Sequence, residues 1–399
     1  MPTPLNRRRA VALAAAAVAA VGVGALTSPT QAGPPAAASG KAAEQRFTGQ
    51  PALVVADAEN PLVRVVDTRR RRVSGTFPMA SFASVYPGSN GRYGYAVQAD
   101  GSRTSVIDAS SRVPSMLGNG IIGLRPIHLV ARDGRVAVFH DESGSATVVD
   151  EATLDRPWPR SWTFESGREH HGVAVPMGRL VLMSLPNPAD EHDELPIGVE
   201  ARTMRDRVVQ RFPDCAALHG EASSGDTVAF GCANGVLVLE KHGDHFHSDF
   251  ITEPQSSPED NRVGTVRAVD GVPFMLGNWG SNGLVRIDPV DGTLTPLELP
   301  LTVRSFELHP HAGGTAIVLT TSGQIHAVNA RTGDVLASAT VVQEFGTSGV
   351  RPALAVGEEF AYVSDPRTGK VAEVSLPDLS VTGRIRVGGA PASITVVHR

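Results

Sequence analysis

The sequence predicts an all-β chain folded as a single β-propeller of eight blades, with seven as the alternative count. The ring is expected to be closed by pairing of its N- and C-terminal strands. Three observations predict this. The chain of 399 residues carries 41 Gly and 29 Pro, which set many turns and leave little room for long helices. Short β-type runs recur with a period of roughly 40 to 50 residues and about four to a unit, the sequence mark of a propeller. The two ends of the sequence are also complementary. Ala52-Leu53-Val54-Val55 and Val63-Arg64-Val65-Val66-Asp67 look like second and third strands lacking a first, and Pro391-Ala392-Ser393-Ile394-Thr395-Val396-Val397 looks like a first strand with nothing after it.

Taken in order, residues 1–32 read as an export signal. Arg7, Arg8 and Arg9 precede an apolar run over residues 10–26, and Thr30-Gln31-Ala32 offers a small-x-small cleavage site. The export route is open between Sec and twin-arginine, and no membrane insertion is expected once the signal is removed. Residues 33–48 are rich in Ala, Gly and Pro and read as a flexible linker. Residues 49–399 form the propeller. Counting the composite of both ends as blade 1, the first strands of blades 2 to 8 begin near Ser81, Pro126, His170, Ala217, Gly264, Ser305 and Arg351. A net charge of -5 speaks against a nucleic-acid partner. A monomer in the periplasm or another extracytoplasmic space is expected.

Two cysteines, Cys215 and Cys232, flank two short strands joined by a turn. In an oxidising compartment a disulfide is the default, with a thiolate metal site as the alternative.

In a propeller the first strand of each blade lines the central channel. Residues at the strand starts, taken round the ring, are Ser84, His128, His171, His219, Thr265, Glu307, Pro352 and Ser393. Three consecutive blades thus place His at one level, in a chain with only 13 His. His140 and Asp141, at the end of a second strand, open on the same face, and Glu221 follows His219 by two residues. Three imidazoles converging on a narrow channel suit zinc, with Asp141, His140 or Glu221 completing or supporting the set. The alternative is three unrelated polar residues wetting the channel mouth. A second group, His242, Asp244, His245 and His247, falls between a third and a fourth strand, on the opposite face. It reads as an auxiliary metal site or a solvated turn. Asn278 and Trp279 are expected on the loop joining the second and third strands of blade 6, on the His face, with Trp279 either forming the rim of the funnel or simply packing there, and residues 190–194 form an acidic run. No Gly-x-Ser-x-Gly elbow, P-loop or His-Glu-x-x-His helix is present.

Leu218-His219-Gly220-Glu221-Ala222 with the following Val228 to Leu237 stretch resembles the exported zinc metallochaperones of the AztD type. So do His171-Gly172-Val173-Ala174-Val175-Pro176, Phe274-Met275-Leu276-Gly277-Asn278-Trp279-Gly280 and Val387-Gly388-Gly389. The resemblance implies a soluble propeller, not an enzyme, that binds zinc and passes it to the solute-binding protein of a zinc ABC transporter. The family carries a His-x-Asp-His-x-His string near the mature N-terminus. Here residues 33–50 contain no His, and the matching string is at His242 to His247. A metal-dependent, lactonase-like propeller hydrolase and a purely structural interaction propeller are the competing readings; the first favours carboxylates around a hard cation, which an imidazole-rich ring does not supply.

Overall fold

Strands adjacent in the chain pair antiparallel, and the pairs gather into eight sheets, seven of four strands and one whose outermost strand is split into Ser115–Met116 and Ile121–Ile122. The computed structural model describes residues 49–189, 195–254, 261–280, 283–311 and 313–399. The expected export signal, the linker and the acidic run at 190–194 lie outside the described residues. Among the described residues there is no α-helix, only two single-turn 3-10 segments, Asp141–Ser143 and Glu151–Thr153. None is long and apolar enough to cross a membrane.

The burial pattern shows why these runs become blades. A middle strand of a propeller is covered on both faces by neighbouring blades, so its sequence is continuously apolar. Leu180–Leu185 is buried at five successive positions, and Val136, Ala137, Val138 and Phe139 are all essentially inaccessible. Outer strands such as Val335–Thr340 alternate instead, because one face meets solvent. The core is divided among eight apolar clusters, one between each pair of adjacent blades. The cluster of Leu53, Val55, Tyr362, Val371 and Ile394 joins blade 8 to blade 1 and closes the ring.

Blade 1 is the composite foreseen from the sequence. Pro391–His398 supplies its inner strand and pairs along the whole of Pro51–Asp57, from Pro51 opposite His398 to Asp57 opposite Pro391. Arg399 is fixed as well, its Nη1 donating to Asp67 Oδ2 at 2.8 Å and its Nη2 to Ser74 Oγ at 2.7 Å. Closure leaves no unpaired sheet edge at the seam.

Cys215 and Cys232 form a disulfide. Both are fully buried in the cluster between blades 4 and 5. The hairpin that brings them together is Glu221–Ser224 with Thr227–Cys232, turned at Gly225 and Asp226.

Candidate metal centre

The inner strands of blades 3, 4 and 5 run Pro126–Arg132, Ala174–Met177 and Glu221–Ser224. His128 lies within the first. His171 and His219 sit just ahead of the other two, so they belong to the segments entering the channel rather than to the strands themselves. A positive-φ glycine makes this entry possible beside His219. Gly220 has φ 77°, and a Cβ there would lie 2.6 Å from the carbonyl oxygen of Gly264.

All three rings meet. Their centroids are 4.7 Å (His128–His171), 5.6 Å (His128–His219) and 5.3 Å (His171–His219) apart. One ring nitrogen of each lies within 4.8 Å of the others, and the Nε2 atoms of His128 and His171 are 3.0 Å apart. Tetrahedral zinc with bonds of about 2.0–2.1 Å holds its nitrogens roughly 3.3 Å apart, a spacing that the three rings would reach by side-chain shifts.

Two of the rings are oriented from behind. His171 Nδ1 donates to Asp141 Oδ2 at 2.7 Å, and His219 Nδ1 donates to the Gly264 carbonyl oxygen at 2.7 Å. With Nδ1 holding the proton, Nε2 of both rings presents its lone pair to the common space. Burial, reinforced by the neighbouring His171 and His219, pushes His128 down to about 3. Burial also lowers His219, against the bond to Gly264 that raises it. Both are therefore neutral at neutral pH, the form in which an imidazole can bind a metal.

Asp141 is placed by the chain reversal at the end of Arg135–His140, where its own N–H donates to the Arg125 carbonyl oxygen at 3.0 Å. Gly264 is placed by Asn278. The Asn278 Oδ1 accepts from the N–H groups of Gly264 at 2.8 Å and Thr265 at 2.7 Å, while its Nδ2 donates to the carbonyls of Arg262 at 3.2 Å and Gly280 at 2.9 Å. The sequence places Asn278 only on a loop of the His face; it stands instead in the strand Met275–Trp279, and its clamp on the loop that holds His219 depends on backbone groups that no side-chain pattern reveals. Trp279 packs against the cluster between blades 5 and 6.

The other residues singled out in the sequence fall elsewhere. His140 is buried beside the triad but faces away, its Nε2 3.1 Å from Thr147 Oγ1, and burial pushes it down to about 4. Gly123 packs on its ring so closely that a Cβ would lie 2.2 Å from Nδ1. His170, next to His171, turns outward to Ser184 Oγ at 2.8 Å and the Arg168 carbonyl. Glu221 points into the channel below the triad, where burial, partly offset by Arg267, pushes it up to about 7.

The second His group is a tight hairpin rather than an open loop. The strands Gly235–His242 and His245–Thr252 continue to the turn at Gly243 and Asp244, so His242 stands directly opposite His245 and Glu240 opposite His247. All three imidazoles share one exposed face, since paired residues and residues two apart point the same way. The rings of His242 and His245 are 5.9 Å apart, and His247 Nε2 approaches Asp249 Oδ2 at 3.3 Å. Among the described residues, only His128, His171 and His219 gather as a potential metal-holding group.

No family model matches the chain. It is similar to the zinc chaperone AztD of Citrobacter koseri, with 26% identity over 363 residues and 86% of each chain covered. The likeness extends to structure. Apo AztD from the same organism superposes with a TM-score of 0.82 at 26% identity, covering 87% of this chain and 97% of that one. The dihydro-heme d1 dehydrogenase NirN shares the fold alone, with a TM-score of 0.62 at 14% identity over 86% of this chain and 74% of that one. The resemblance read from the motifs thus extends over 86% of the chain.

Proposed function

We propose that this protein is an extracytoplasmic zinc carrier that holds one zinc ion on His128, His171 and His219 and delivers it to the solute-binding protein of a zinc ABC transporter. One observation carries the reading. Three imidazoles converge at one mouth of the channel, and two have their Nδ1 protons committed to Asp141 and Gly264, so the remaining nitrogens are presented as ligands. The similarity to a zinc chaperone points the same way. The disulfide fits export to an oxidising compartment.

Zinc is cargo here. A site with three protein ligands leaves the fourth position to water or to an incoming group, and an incoming ligand enters there before any histidine lets go. The chain's own contribution is to hold the imidazoles neutral and aimed, which favours capture. The open position favours release by exchange rather than by spontaneous dissociation. No catalytic step is required, and the protein acts as a monomer. His140, Asp141 and Glu221 support or flank the centre, and His242, Asp244, His245 and His247 form an auxiliary, weaker site on the opposite face.

The test is zinc titration against a competing chelator, followed by transfer kinetics. His128→Ala, His171→Ala and His219→Ala should each weaken binding strongly. Zinc-loaded protein mixed with apo solute-binding protein should lose its metal at a rate that rises with acceptor concentration beyond the dissociation limit. Wild-type affinity in all three variants would sink the site assignment. A transfer rate equal to passive dissociation would reduce the protein to a buffer, and turnover of lactones with bound metal would favour a hydrolase.

A further inference from the structure

Two guanidinium groups at the channel mouth have no carboxylate partner among the described residues. A cavity of about 610 Å³ runs below the triad, lined among others by Leu129, Glu221, Arg267, Arg304 and Glu307. Leu129 follows His128 and Glu221 lies two residues past His219, so the metal centre and this cavity adjoin. Arg267 is accounted for, its Nε donating to Glu307 Oε1 at 2.8 Å with Glu221 also in its field. Arg304 is different. It is the second residue of the inner strand Val303–Leu308, at the end of the strand where the histidines enter on the other side of the ring. Its Nε is buried without a hydrogen-bond partner. The charge it feels is that of another guanidinium, Arg351, which stands just ahead of the inner strand Leu354–Val356 of the adjacent blade 8. Neither has an ion pair among the described residues. On the flank nearer the triad, Arg262 donates from Nη2 to the Ala217 carbonyl at 2.6 Å, and its Nε is also buried and unpartnered.

Unanswered guanidinium groups beside a centre for a divalent cation oppose the cation and carry a desolvation cost of their own. An anion at the mouth relieves both. The planar fork of arginine matches a carboxylate, which can accept two parallel N–H bonds. We propose that Arg304 and Arg351 form a carboxylate-binding site at the mouth of the zinc channel, which engages an acidic side chain of the protein receiving the metal. The acceptor half rests on the carrier function proposed above; the carboxylate site does not. Docking an acidic group there brings the acceptor's own ligands to the open side of the zinc while cancelling the positive charge that opposes the cation.

Two measurements test this with Arg304→Gln, Arg351→Gln and the double variant, each first confirmed as folded by its thermal transition. Calorimetric titration of the zinc-free protein with malonate reads the site without any metal. The double variant should weaken malonate binding about tenfold or more. Stopped-flow transfer to the apo solute-binding protein reads the acceptor. The second-order rate should fall about tenfold, and its decline with added salt should flatten. Zinc affinity should stay the same or tighten, because positive charge near the cation has been removed. If the double Gln variant is poorly folded, Arg304→Lys with Arg351→Lys keeps the charge but loses the fork. That pair should retain the salt dependence and lose malonate affinity. Wild-type malonate binding and transfer in the double variant would overturn the proposal. Loss of malonate binding with unchanged transfer would overturn the acceptor half and assign the site to a small free carboxylate. Loss of zinc binding in His171→Ala leaves the malonate result untouched, so the two readings fail separately.

Discussion

At the scale of single residues, the centre is set less by which side chains are present than by what stands behind them. His171 leans on a carboxylate and His219 on a backbone carbonyl, and the carbonyl is itself held by Asn278. Groups behind a ligand typically change metal affinity by roughly ten- to a hundredfold. Asp141→Asn should therefore weaken zinc by about that factor while leaving the fold intact. Asn278→Ala should weaken it too, with signals of the His219 ring shifting in NMR spectra although the substitution does not touch the ring. Unchanged affinity in both variants would show that the histidines position themselves. A pH effect follows from the buried rings. His140 and His128 have pKa values below that of a free imidazole, so between the ordinary value of about 6.5 and their own lowered values the unfolded chain binds more protons than the folded one. Stability of the zinc-free protein is therefore complete above about pH 6.5 and falls as pH drops towards 4. Replacing His140 by Gln should flatten that decline in thermal melts across the range, and an unaltered slope would exclude His140 as a source. The triad could be foreseen in the sequence because the propeller repeat puts residues of equivalent position at one level. The guanidinium groups of Arg304 and Arg351 could not, since their meeting at the channel with no carboxylate partner is a matter of packing between two blades that no sequence pattern reveals.

At the scale of elements, two hairpins were legible for different reasons. The spacing of Cys215 and Cys232 about a two-strand pattern made the disulfide readable, and the structure closes it at a sequence separation of 17. It ties the segment ahead of His219 to the end of the second strand of blade 5. Loop entropy gives such a link a worth of about 3 kcal/mol. Reduction should lower the melting temperature accordingly and should also loosen zinc binding, because the segment carrying His219 is anchored there. A reduced protein with full zinc affinity would confine the link to stability. For the hairpin of His242, His245 and His247 the sequence places the segment between the right strands but does not reveal its register. Gly243-Asp244 makes a two-residue turn, so the strands run on to the histidines and line them up on one face. That ribbon offers pairs of ligands rather than a closed set. Removing the three histidines together should lower the total zinc bound in equilibrium dialysis while the tight site keeps its affinity. An unchanged stoichiometry would leave the ribbon as a polar edge only.

At the scale of the whole molecule, the ring depends on one seam, and that seam is electrostatic as well as hydrophobic. The strand Pro391–His398 completes blade 1, and Val397 is fully buried in the cluster between blades 1 and 2. Two carboxylates from the other end of the chain hold it. Asp57 accepts from the Ala390 N–H at 3.2 Å and pairs with Arg64 at 2.8 Å, and Asp67 pairs with Arg399 and Arg70, both at 2.8 Å. Burial alone would raise both carboxyls, but their hydrogen bonds and arginine partners prevail and hold them below the usual value of 3.8. A depressed folded pKa means stability that is fully present above the ordinary carboxylate range and is lost as pH falls through the lower, folded value. Acid below about pH 4 should thus open the seam first. Because the termini meet only there, its opening frees a sheet edge on each side and exposes two blade interfaces at once, so the loss spreads round the ring. Hydrogen exchange at pH 3 should show Pro51–Asp57 and Pro391–His398 losing protection before the strands of blades 4 and 5, where the disulfide lies. Asp67→Asn should reproduce part of that early loss at neutral pH, by removing the partner of Arg399. If exchange instead begins at blades 4 and 5, or uniformly, the seam is not where the propeller yields.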